Sequence, residues 1–263
     1  MRRPPWSHLL SGVRFRGRTS VGIGICQKSQ GIWVPVNRRR NQEGRKMTVT
    51  AEMATTGVAA YGVSTLAAQI QGHAMVRPDH VVMREKDFGV WREFTAAEIW
   101  DTVLDAAHGL FALGLEVGDR VSIQSENRPE WMILDFATIA VRGITVGFYP
   151  TNPTAEVEYL LSDCGSVVHL AEDQEQVDRV LEIDRQKIPN VRKILYCEQR
   201  GVRRYDDDRL LDWDDFLSLG REHRMAHRGA VERSMSEARW DDGMTLVYTS
   251  GTTGNPKAVE LTH

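Results

Sequence analysis

Thr249, Ser250, Thr252 and Thr253 set four hydroxyls beside Gly251 and Gly254, with Lys257 close behind, in the run Leu-Val-Tyr-Thr-Ser-Gly-Thr-Thr-Gly-Asn-Pro-Lys from Leu246 to Lys257. Glycines carry no Cβ and accept positive φ, so the backbone can curl closely round an anion. Successive N–H groups in such a curl form a nest that favours negative charge. The hydroxyls add rotatable neutral donors, and the lysine adds a compact, mobile point charge. Pro256 fixes its own φ and lacks an N–H, which predicts that Lys257 sits outside a helix. These residues together suit a polyphosphate.

The common P-loop needs Gly-Lys followed by Ser or Thr at the opening of a helix. Here Lys257 follows Pro256, and Ala258-Val259-Glu260-Leu261 reads as a strand. The run instead resembles, nearly residue for residue, the phosphate-loop signature of the AMP-forming adenylating enzymes. That family includes acyl-CoA synthetases, luciferases and the adenylation domains of peptide synthetases. Its signature is typically Tyr-Thr-Ser-Gly-Thr-Thr-Gly-x-Pro-Lys-Gly-Val, closed by Thr-His or Ser-His. Tyr248 to Gly254, Pro256, Lys257, Val259 and Thr262-His263 match, while Ala258 stands where glycine is usual. The departure hints at a tighter position behind the lysine. A hydroxyl-rich hairpin turn without a ligand is the plainer alternative, and the length of the match weighs against it.

The resemblance implies an α/β fold, an incomplete N-terminal part of the adenylating-enzyme large domain, with a mixed, largely parallel sheet and covering helices. It implies that Thr249, Ser250, Gly251, Thr252, Thr253, Gly254 and Lys257 hold the β and γ phosphates of ATP. The reaction implied is ligation: ATP and a carboxylate give acyl-AMP, and the CoA thiol then forms a thioester, with Mg²⁺ on the phosphates. Asn127-Arg128-Pro129-Glu130-Trp131 and Phe148-Tyr149-Pro150-Thr151 look like words of the long-chain and bubblegum-type fatty acyl-CoA synthetases, or else are packing and turn residues. The family's adenine and ribose segments, acyl and CoA channels and catalytic lysine come later than His263. A chain of these residues alone is therefore expected to form no acyl-CoA, and a thioester product from the purified chain would refute that. The alternatives are a non-catalytic ATP- or phosphate-binding module and an inactive remnant.

Composition narrows the field independently. At 41% hydrophobic and 26% charged the chain sits among soluble globular proteins. No apolar run approaches the roughly 18 residues of a membrane span, so any membrane contact is expected through the substrate or the basic arm, and the location is expected to be cytoplasmic. Residues 1–46 hold eleven Lys or Arg against Glu43 alone, a net of +10, whereas residues 47–263 carry 22 basic and 35 acidic groups, a net of −13. An acidic body argues against nucleic-acid binding. The basic segment shows no helical or strand period. Its lack of acids loosely matches a transit peptide, but Pro4, Pro5, Gly12, Gly17, Gly22 and Gly24 would break that peptide's amphipathic helix, so it reads as a disordered upstream extension ahead of a partial adenylation domain starting at Met47. Sequencing the N-terminus of native protein checks that start. Cys26, Cys164 and Cys197 are widely spaced, which fits a reducing compartment and small buried side chains.

The elements that must position the glycine-rich run follow in a strand–helix rhythm. Leu66 to Ala74 is predicted helical, and His80–Arg84 with Val90–Phe94 form a hairpin turning at Gly89. Thr95-Ala96-Ala97-Glu98 is a capping box. It opens a helix with the stripe Ile99, Val103, Ala106, Leu110 and Leu113, ended by Gly114. Strands are predicted at 120–124, 144–148, 167–170, 193–197 and 245–248, and helices at 129–141, 155–161, 174–184 and 217–223. Such alternation argues for a parallel sheet with covering helices. Residues 200–215 are predicted to be a surface loop, and Gly243 a turn.

Other constellations carry less. His223 and His227 lack the Glu of a zinc-protease motif and are flanked by Arg221, Arg224 and Arg228, so a solvated polar face is expected. Asp206, Asp207, Asp208, Asp212, Asp214 and Asp215 lack calcium-loop spacing and suit a solvated loop and a helix start. No Gly-x-Ser-x-Gly elbow supports a serine hydrolase. No metal ligands are expected in the chain.

Overall fold

The computed structural model describes residues 65–249 and 255–263, together with the backbone of 25–29 and 32–36. Its centre is β5 (Arg120–Gln124), in which every residue after Arg120 is buried. A strand covered on both faces reads as a nearly continuous buried run rather than an alternating one. The same holds for β7 (Val168–Ala171), buried throughout. Around them lie β6 (Ile144–Phe148), β8 (Lys193–Tyr196), β9 (Leu210–Asp212), β10 (Gly243–Thr249) and β11 (Lys257–Thr262). The sheet order is β11-β10-β6-β5-β7-β8-β9. Every pairing is parallel except that of β10 with β11. From β5 the chain steps to β6 on one side and then to β7 on the other. This reversal is the topological switch of a doubly wound sheet.

Helices cover both faces. One layer comprises α1 (Leu66–Val76), α2 (Ala96–Ala112), α3 (Pro129–Ala140), α6 (Trp213–Ala226) and α7 (Ala230–Glu237), packed on Val121, Ile123, Leu170 and Leu195. The other comprises α4 (Thr154–Cys164) and α5 (Gln174–Leu181), packed on Val146, Phe148, Ile194 and Leu246. Helix α2 starts at the capping box, with Thr95 N–H donating to Glu98 Oε2 at 2.8 Å and Glu98 N–H to Thr95 Oγ1 at 3.3 Å. Gly114 follows its end with φ +75°. Helix α6 approaches α2 so closely that a Cβ at Gly220 would lie 2.8 Å from the Asp105 carbonyl carbon and 2.9 Å from the Gly109 nitrogen. Strands β3 (Val81–Asp87) and β4 (Val90–Thr95) form a separate hairpin turning at Phe88 and Gly89, both at positive φ.

Several expectations need correction. The expected loop at 200–215 contains β9, and the helix begins at Trp213 rather than Leu217, because the Asp212 carboxylate caps it by accepting from Asp214 N–H at 2.9 Å. Helix α7 was not anticipated; its buried residues are only Val231 and Met235, too few for a periodic signal. Gly243 is no turn but the first residue of β10, where the register with β11 shifts, as glycine at a bulge allows. In the basic N-terminal segment, where no strand period was expected, β1 (Ile25–Ser29) and β2 (Ile32–Val36) pair antiparallel. Met47 and the boundary before it lie outside the described residues.

Candidate functional site

Strand β10 runs parallel to β6, with Thr245 opposite Thr145 and Leu246 opposite Val146. Its last residue, Thr249, therefore lies at the carboxyl edge of the sheet, where open α/β sheets bind ligands. Strand β11 returns antiparallel, with Thr249 opposite Lys257 and Tyr248 opposite Ala258. Strand alternation sets the roles of the stems. Ala258 is buried in the core with Leu246, while Thr249 and Lys257 are exposed. The Thr249 hydroxyl donates to the Lys257 carbonyl at 3.4 Å. Among the described residues no ion pair involves Lys257, which is exposed. Ser250, Gly251, Thr252, Thr253 and Gly254 lie outside the described residues. The expectation that Lys257 is not helical agrees with its place at the start of β11.

Helix α4 meets both stems. Tyr159 donates its hydroxyl to the Pro256 carbonyl at 2.9 Å, and Tyr248 donates to Asp163 Oδ2 at 2.7 Å. Burial, then Cys164 and Asp163, pushes the Tyr248 phenol far above its ordinary pKa; burial and Asp163 do the same, less strongly, for Tyr159. Both hydroxyls therefore stay protonated and remain donors. Sequence reasoning missed this pair. The only local signal was two polar groups four residues apart on a helix whose neighbouring positions Val157, Leu160, Leu161 and Cys164 are buried.

At the switch point, the carboxyl ends of β5 and β7 present a compact ion cluster. Arg128 lies 3.1 Å from Glu130, 3.5 Å from Glu172 and 3.1 Å from Glu198. It precedes α3, whose first residue is Pro129. Asn127 to Trp131 thus acts at least as a packing and turn element, with the arginine tying α3 to the ends of β7 and β8.

Outside this edge, the acidic run is spent on local structure: Asp207 pairs with Arg209 at 2.8 Å and Asp208 with Arg185 at 3.0 Å. The face of His223 and His227 is solvated only in part: His227 is exposed, while His223 is half-buried. Its Nδ1 lies 2.9 Å from Nδ1 of buried His108 on α2, and its ring stacks on His227 at 4.2 Å. The helix places one side of its ring against α2. Among the described residues no cluster of three or more His, Cys, Asp or Glu side chains could hold a metal ion. No helix among them is long and apolar enough to cross a membrane.

Comparison with known proteins places the chain. The sequence profile described as AMP-binding enzyme matches residues 70–263. The long-chain-fatty-acid–CoA ligase FadD15 of Mycobacterium tuberculosis is 34% identical over 203 residues, covering 75% of this chain and 31% of the relative. The long-chain-fatty-acid–CoA ligase ACSBG2 of Xenopus laevis is 30% identical over 186 residues, covering 70% of this chain and 24% of the relative. The chain thus spans a third or less of these relatives. Among solved structures, the anthranilate CoA ligase AuaEII in complex with anthranoyl-AMP superposes with TM-score 0.63 at 23% identity, covering 78% of this chain and 36% of that one. A Mycobacterium tuberculosis fatty acyl CoA synthetase superposes with TM-score 0.58 at 22% identity, covering 76% and 35%. These two likenesses concern the fold, a mixed α/β arrangement of a mostly parallel sheet and helices. The chain belongs to the AMP-binding enzyme family.

Proposed function

We propose that this chain supplies the ATP-gripping part of a long-chain fatty acid–CoA ligase. The observation that carries the reading is the pairing of exposed Lys257 with exposed Thr249 on the hairpin at the carboxyl edge of the sheet. The names of the relatives support the substrate class. The chemistry asks little covalent work of these residues. Lys257 neutralises the β and γ phosphates, and the hydroxyls of Thr249, Ser250, Thr252 and Thr253 donate to their oxygens. The amides of Gly251 and Gly254 come close because no Cβ intervenes. Held so, the α phosphorus faces an incoming carboxylate and pyrophosphate leaves along donors already aimed at it. Mg²⁺ bound to the phosphates would neutralise further charge on the leaving group. CoA thiol then displaces AMP from the acyl-adenylate. We place this ligase in the cytoplasm, its membrane contact confined to that of its lipid substrate.

Titration calorimetry with Mg·ATP tests the reading. A hydrogen bond to a charged phosphate contributes about 1.5–3 kcal/mol, so Lys257→Ala should weaken binding at least about tenfold. Equal affinity in the two proteins would contradict it. In a complete ligase the same substitution should slow ATP–pyrophosphate exchange by an order of magnitude or more.

A further inference from the structure

The two ends of the phosphate hairpin are held by one helix. Tyr159 and Asp163 lie four residues apart on α4, one helical turn, and so share a face. Tyr159 reaches the carbonyl of Pro256, immediately before Lys257, while Asp163 receives the hydroxyl of Tyr248, immediately before Thr249. The two contacts thus fall on opposite arms of the hairpin, Tyr248 within β10 and Pro256 just before β11, each next to one of the exposed residues that frame the loop. Helix α4 is itself anchored: Val157, Leu160, Leu161 and Cys164 are buried in the same cluster as Leu246 and Ala258. Gly165 closes the helix in a left-handed conformation with φ +65°. A rigid element therefore grips the hairpin at two points, beside ladder bonds at an edge strand that has no other partner within the seven-stranded sheet.

We propose that Tyr159 and Asp163 are positioning residues that brace the two stems, fixing the spacing of Thr249 and Lys257 for a polyphosphate. The inference rests on the nucleotide reading above for its ligand, and on geometry alone for the brace. Neither residue touches the phosphates; both act through Tyr248 and Pro256. Pulling the stems into register before ligand arrives lowers the ordering cost of binding, the usual benefit of preorganisation. The Tyr248 hydroxyl is the weak point. Its carboxylate acceptor can be replaced by an amide oxygen but not by a methyl.

Hydrogen–deuterium exchange on the 263-residue chain, paired with Mg·ATP titration, tests the brace. Losing one such hydrogen bond should speed stem opening about fivefold. Tyr159→Phe should therefore accelerate exchange in 257–260, and Asp163→Ala in 246–249, while α4 amides at 157–161 keep their rates. Asp163→Asn, which retains a carbonyl acceptor, should restore most of the protection. Affinity for Mg·ATP should fall several-fold in Tyr159→Phe and Asp163→Ala and return in Asp163→Asn. Unchanged stem exchange in both variants overturns the proposal. So does loss of protection throughout α4, which would mean a general packing role, and so does unaltered ATP affinity with loosened stems. If the parent chain binds no ATP while the stems still loosen selectively, the brace stands and the nucleotide reading falls.

Discussion

Replacing Gly220 by alanine asks whether the α2–α6 contact is as close as described. Two effects oppose each other. Alanine is better than glycine inside a helix by about 0.8–1.0 kcal/mol. Against this, the new methyl would fall onto the Asp105 carbonyl oxygen, 2.8 Å from its carbon and 2.9 Å from the Gly109 nitrogen. Those atoms belong to the backbone of a 17-residue helix, so no rotamer change relieves them. The helices must part, disturbing Leu110 and Phe216, both fully buried. Overpacking costs about 1–3 kcal/mol, and a backbone obstacle puts this case at the upper end. The net expectation is a loss of about 1–2 kcal/mol, or roughly 2–8 °C in Tm for a domain of this size. Urea titration followed by circular dichroism gives the number, with the slope checked for constancy. Gly72→Ala is the control: it lies in α1 with nothing within 4 Å of the added methyl, and should stabilise by about 0.5–1 kcal/mol. A Gly220→Ala protein as stable as its parent, or gaining as Gly72→Ala gains, would refute the reasoning.

Three other perturbations follow from the same geometry. Thr95→Ala removes the acceptor of the α2 capping box and should cost about 1 kcal/mol in urea unfolding; no loss would show the cap to be idle. Phe88 is fully exposed at φ +44°, a left-handed conformation that costs a non-glycine residue about 1–2 kcal/mol, so Phe88→Gly should leave stability unchanged or raise it, and a marked loss would reveal a hidden role for the ring. His169, fully buried with Nδ1 2.7 Å from Ser122 Oγ, has its pKa pushed down by burial to about 3. A proton therefore binds the unfolded chain more readily than the fold, so this contribution to stability is complete above about pH 6.5 and declines as pH falls toward 3, by at most about 1.4 kcal/mol per pH unit. His108 and His223, lowered first by burial, act in the same direction. Urea midpoints at pH 7.5 and 5.0 should differ accordingly, and a flat profile would contradict the burial of a neutral His169.

How far these features could be read from the chain depended on how local they are. The Thr95–Glu98 box, Pro129 opening α3 and Gly114 after α2 are decided within a few residues, and each stands where the pattern places it. The strand–helix alternation carried the parallel sheet because β5 and β7 are buried on both faces. What escaped was short or non-local. Strand β9 spans three residues between polar neighbours, and α6 begins at an Asp212 cap whose acidic first turn blended into the preceding loop. The partnership of His108 with His223 joins residues 115 apart, and that of Tyr159 with Pro256 joins residues 97 apart. No periodicity encodes such pairs. The glycine-rich run was the reverse case: its family was legible from residue types, while only the parallel pairing of β10 with β6 places its stems at the carboxyl edge.

The central claim is that the β10–β11 hairpin grips a polyphosphate, and hydrogen–deuterium exchange with and without Mg·ATP tests it most directly. The account predicts slowed exchange concentrated in residues 248–258 and abolished by Lys257→Ala. Nucleotide binding that leaves those amides untouched, or protects instead the Arg128 cluster beside β5 and β7, would contradict it.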